Sequence, residues 1–123
     1  MPHTRSYDVT VTTAADQTGT GYTAENIRGR VLAVKYAKVD YEDTVDFTIT
    51  SELTAQNIWV ESNVTANKTV YPRVACHDTV GVAAEVDTGF AVRDTVPLAN
   101  ERVKIAVAQG GIVKSGTFTI IVE

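Results

Sequence analysis

The last quarter of the chain, Asn100 to Glu123, restricts the possible folds more than any other stretch. Val103, Ile105 and Val107 alternate with Lys104, Ala106 and Ala108, the period-2 pattern of a strand with one buried face. Gly110 and Gly111, then Ser115 and Gly116, punctuate the return. Phe118, Ile120 and Val122 then share one face, with Thr117, Thr119 and Ile121 on the other. The spacing predicts two antiparallel strands closed into a hairpin by a Gly-rich loop of roughly 6–8 residues. A hairpin alone is not stable in water, so further strands must cover its apolar face.

The rest of the chain supplies them. Tyr7, Val9 and Val11 alternate with polar residues, and Ala14 to Gly21 reads as a loop. Tyr22 to Asn26 fits either one short helical turn or an irregular lead-in. Arg28 to Val39 is the longest strand candidate, with Leu32, Val34 and Tyr36 on one face and Val31, Ala33, Ala37 and Val39 on the other. Apolar groups on both faces predict a central strand, or one covered by a partner chain, and Gly29 suggests a bulge. An acidic turn, Asp40 to Thr44, precedes the cleanest alternation, Val45, Phe47 and Ile49. Ile58 and Val60 begin another strand, with Trp59 between them. Thr69 to Ala75 continues the β pattern, but Pro72 lacks an N–H and limits it to an edge or a bulge. Residues 76 to 89 read as a long surface excursion, and Phe90 to Leu98 as a strand ending at Pro97. Turn signals recurring every 8–12 residues or so predict an all-β, single-domain antiparallel β-sandwich of about eight strands. The polar residues 1–6 are expected to form a flexible arm and residues 7–123 the sandwich domain.

Composition agrees. With 123 residues, one domain with a real core is expected. Val, Thr and Ala dominate, and β-branched side chains suit a pleated surface. A net charge of −4 with interspersed signs argues against nucleic-acid binding, which needs clustered Lys and Arg. The single cysteine, Cys76, excludes an intrachain disulfide and suits a reducing cytoplasm. The first residues carry no apolar run of the kind that marks a secretory signal, and no run approaches the ~18 residues of a membrane span.

No catalytic constellation emerges. In Cys76-His77-Asp78, adjacent residues of an extended chain point to opposite sides, a poor nucleophile–base pair. A metal site there lacks a second half, since the other histidine is His3. Asp40, Glu42, Asp43 and Asp46 miss the spacing of a calcium loop. Gly110-Gly111 with Lys114 and Ser115 lacks the order of a phosphate loop. Asn63-Val64-Thr65 and Asn67-Lys68-Thr69 match glycosylation sequons but read as turn residues. Trp59, Tyr22, Tyr36, Tyr41 and Tyr71 fit either core packing or an interface. The residues therefore predict no enzyme, cofactor or metal, and leave a binding or structural role.

Two segments carry a resemblance. Tyr71-Pro72-Arg73-Val74-Ala75-Cys76-His77-Asp78-Thr79-Val80-Gly81 is followed by Val96-Pro97-Leu98-Ala99-Asn100-Glu101-Arg102-Val103-Lys104-Ile105, then Ala108-Gln109-Gly110-Gly111 and Ser115-Gly116-Thr117. With Asp46-Phe47-Thr48-Ile49-Thr50 before it, this pattern resembles small virion structural proteins of tailed bacteriophages, over about the last two thirds of the chain. The resemblance implies a capsid decoration (cement) protein, made in the host bacterial cytoplasm, that binds the major capsid protein on the outside of the head and stabilises it. Its alternatives are a head–tail connector or tail protein, or a host-surface or carbohydrate-binding β module, for which Trp59 would be the marker. The expected contacts with capsid or neighbouring subunits are the arm residues Pro2, His3, Thr4 and Arg5 and the strand residues Leu32, Val34 and Tyr36. A homo-oligomer, a trimer by preference, is expected, with neither nucleic acid nor membrane as partner.

Overall fold

A computed structural model of the chain describes residues 3–87 and 89–123. Among them, every regular element is a β-strand: β1 (Arg5–Thr12), β2 (Gly19–Tyr22), β3 (Ile27–Lys38), β4 (Asp46–Ser51), β5 (Asn57–Glu61), β6 (Lys68–Val70), β7 (Arg73–Ala75), β8 (Glu85–Asp87), β9 (Phe90–Ala91), β10 (Arg93–Glu101), β11 (Val103–Ala108) and β12 (Ser115–Val122). One sheet has the order β1-β12-β3-β10-β7, with β6 added to the free stretch of β3. The second has the order β2-β11-β4-β5, and β8 and β9 form a separate ribbon. All pairings are antiparallel, and the two sheets pack as the sandwich that the alternation predicts.

The final two strands depart from expectation. β11 pairs with β2 and β4, whereas β12 pairs with β1 and β3, so they lie in opposite sheets and form no hairpin. Each still buries one face completely: Val103, Ile105 and Val107 from one sheet meet Phe118, Ile120 and Val122 from the other. The pattern fixes which face is buried, and it is the same whether two strands pair or face each other. The connection 109–114 therefore crosses from sheet to sheet.

Three irregularities explain the remaining surprises. On β3 the register with β12 slips at Leu32, between the pairs Ile121↔Ala33 and Val122↔Val31. A one-residue slip exchanges the faces, so Ile27 and Val31 before it and Val34 and Tyr36 after it all point into the core. β3 is thus the central strand expected, lying between β12 and β10, and the slip puts core residues on both of its sequence faces. Gly29, at φ +126°, lies three residues earlier, where any Cβ would collide with the carbonyl of Glu123. On β5 a similar slip at Ile58 buries the consecutive Ile58 and Trp59 and leaves Val60 exposed. Pro72 does not merely weaken a strand but divides it, β6 pairing with β3 and β7 with β10.

The boundaries also shift. Residues 19–21, expected as loop, and Tyr22, expected in the turn or lead-in that follows, form a strand pairing with β11. Residues 23–26 contain no helical turn. Arg5 and Ser6, assigned to the arm, are strand residues paired with Val122 and Ile121.

Candidate functional site

The expected contact residues fall on two elements, the N-terminal stretch and β3. Val34 and Tyr36 are fully buried in the domain's own core, Leu32 is half-buried at the bulge, and His3 and Thr4 are exposed. Arg5 is held in β1, and its guanidinium donates to the carbonyl of Arg28. Pro2 lies outside the described residues. For the strand residues the expectation is corrected at Val34 and Tyr36, which already serve the core.

The other singled-out residues have structural partners. Cys76 is half-buried, and its backbone N–H donates to Val92 while its carbonyl accepts from Ala84. Asp78 Oδ1 accepts the N–H groups of Val80 and Val82 at 2.9 and 3.0 Å, an Asx turn that opens the excursion. In the acidic turn, Asp40 accepts from the Ser115 N–H, Asp43 pairs with Lys38, and Asp46 accepts from Asn63 and Gln109. Among the described residues, no three His, Cys, Asp or Glu side chains are placed to hold a metal ion. Asn67, in the second sequon, caps the Lys38 N–H. Trp59 is buried, with its ring edge-on to Phe47 and its indole N–H on Glu61, so the marker of a carbohydrate surface is a core residue.

A cleft of about 380 Å³ opens beside β10, lined by Thr54, Gln56, Val74, His77, Leu98 and Glu101 among others. Its one buried charge is Glu101, 3% exposed. Oε1 accepts the N–H groups of Leu53 and Thr54 at 2.9 and 3.0 Å, and Oε2 that of Ala99 at 2.9 Å. Burial alone pushes this carboxyl up. The amides of Ala99, Thr54 and Leu53 and the Thr54 hydroxyl outweigh it and hold the group below the ordinary 4.5. A carboxylate so engaged caps the 51–56 loop and is a weak base. Nothing in the alternation marks Glu101 as buried; its only sequence signal is a carboxylate inside a β run.

What remains is apolar surface. Tyr71, Val80, Val82 and Phe90 are 68%, 80%, 59% and 69% exposed, all on the stretch from Tyr71 to Val92 that carries β7 and the β8–β9 ribbon. A second pair, Ile112 and Val113, is 59% and 65% exposed in the β11–β12 connection. Periodicity does not find either group, because it reads what is buried. No family model matches the chain, and no curated protein matches it.

Proposed function

We propose that the chain is a bacteriophage virion structural protein, a capsid decoration protein that binds the major capsid protein on the outside of the head. One observation carries the reading. The segment Tyr71 to Gly81, which opens the resemblance to virion proteins, is also where the sandwich leaves large apolar side chains to solvent, among them Tyr71 and Val80. Several large apolar side chains left to solvent along one excursion of the chain support contact with another macromolecule. A protein that binds the assembled shell and not its separate subunits stabilises the shell by linkage, and contact with several subunits multiplies the effect. Self-association, as a trimer, would use the same excursion, since the β3 residues are committed to the core.

The test is the copy number of the chain in purified particles, measured by quantitative mass spectrometry. Hundreds of copies per particle are expected. About six or twelve copies would place it at the connector or tail, where closed rings of that size occur. Absence from the particle would overturn the virion reading.

A further inference from the structure

The connection between β11 and β12 is built unlike an ordinary loop. Gln109, Gly111 and Val113 have φ of 54°, 93° and 51°. Glycine adopts such a backbone freely, but a β-branched residue there is strained, because its Cβ crowds the neighbouring carbonyl. Burial does not repay Val113 for this, since it and Ile112 are mostly exposed. The frame beneath them is tied to neighbouring loops by hydrogen bonds. The buried Thr13 hydroxyl donates to the Gly111 carbonyl at 2.6 Å and accepts the Lys114 N–H at 2.9 Å, while its own N–H donates to Lys114 O. The Glu42 N–H holds the Gly110 carbonyl, and the Thr44 hydroxyl holds that of Gln109. Strain that the surroundings enforce at an exposed apolar tip points to a task outside the fold.

Charge narrows the partner. The loops hydrogen-bonded to this connection, 13–18 and 38–46, carry Asp16, Asp40, Glu42, Asp43 and Asp46 against Lys38, with Lys114 in the connection itself. Five carboxylates face two lysines, most of the chain's net charge of −4. We propose that residues 109–114 form a preshaped docking tip, which inserts Ile112 and Val113 into an apolar socket rimmed by basic side chains on a partner protein. A tip tied in this way loses little conformational freedom on binding. A second copy presents the same acidic end, and an anionic lipid surface the same sign, so both are repelled. This inference rests on the virion reading, under which the partner is the shell protein.

The experiment uses shells stripped of this protein and measures rebinding of the full chain. Val113→Asn suits the left-handed backbone and removes the apolar surface; Ile112→Ser removes its neighbour. Expected are a midpoint of denaturation for Val113→Asn equal to or above that of the parent, rebinding about 10-fold or more weaker for each variant, and parent binding that weakens with added salt. Lower stability with unchanged affinity would return the loop to a purely structural role. Parent-like binding of both variants would overturn the tip while leaving the virion reading intact. A parent chain that does not bind stripped shells would remove the decoration reading and this partner with it. Self-association, or binding to anionic vesicles, that is lost in Ile112→Ser would replace the proposed partner by a second copy or by lipid.

Discussion

Tyr36 and Tyr41 stack in the core with ring centroids 6.2 Å apart, yet their hydroxyls are treated differently. That of Tyr41 donates to the carbonyl of Val11, while that of Tyr36 has no partner among the described residues. A buried hydroxyl that has left water without a partner costs free energy, whereas a paired one roughly recovers it. Tyr36→Phe is therefore expected to leave stability unchanged or raise it by up to about 1 kcal/mol. Tyr41→Phe strands the Val11 carbonyl and should cost about 1–2 kcal/mol. Chemical denaturation of both variants checks the contrast, and equal losses would contradict it. In the sequence Tyr36 reads as a strand residue and Tyr41 as part of an acidic turn, and either fits core or interface. What separates them is the reach of the Tyr41 hydroxyl to the Val11 carbonyl, thirty residues away in the chain. That is a tertiary fact with no local signature.

At the scale of elements, the aromatic cluster joins the two sheets. Phe47 on β4 meets Phe118 on β12 edge-to-face, with centroids 4.8 Å apart, and Tyr36 on β3 stacks on Phe118 at 5.3 Å. Such pairs contribute about 0.5–1.5 kcal/mol beyond the area they bury. A double-mutant cycle on Phe47→Leu and Phe118→Leu should return a coupling of that size, and additivity would mean that the sheets do not meet here. Ile105→Ala, on the buried face of β11, should cost about 2–5 kcal/mol in the same assay. The all-β class and the inward faces of β1, β4, β11 and β12 were legible, because alternation reports burial directly. Pairing was not. Val103 to Val107 looks the same beside β12 or across from it, and only long-range register tells the two apart. The bulges at Leu32 and Ile58 were illegible for a related reason: a slip appears in sequence as apolar groups on both faces, the pattern equally expected of a central strand or of one covered by a partner. The exposed tip at Ile112 and Val113 was read simply as a hairpin loop, since strain lies in dihedrals and not in composition.

For the whole molecule, these local facts set limits on the pH range in which the sandwich holds. On the acid side, Glu101 has a folded pKa below its ordinary 4.5, despite burial, because backbone amides and the Thr54 hydroxyl favour its charged form. A depressed carboxyl stabilises the fold above its unfolded value, and that contribution is lost as pH falls from about 4.5 through the folded value. Glu52 beside Arg102 and Glu61 beside Lys68 shift the same way, but solvent screens these surface pairs. Glu101→Gln keeps one acceptor oxygen and loses the charge, so it should lower stability at neutral pH and flatten the acid limb. On the alkaline side, desolvation by burial, assisted by the charge of Asp43, pushes Tyr36 from 10.0 up to about 12. Tyr41 moves in the same direction, also chiefly through burial. A raised phenol binds its proton more tightly folded than unfolded, so its stabilisation is complete below pH 10 and is lost as pH rises toward 12. Each tyrosine should then remove about 1.4 kcal/mol per pH unit across that window. Denaturation midpoints between pH 9 and 11 check this, with Tyr36→Phe expected to halve the slope. An unchanged slope in that variant would show that the Tyr36 hydroxyl is not in the dry core.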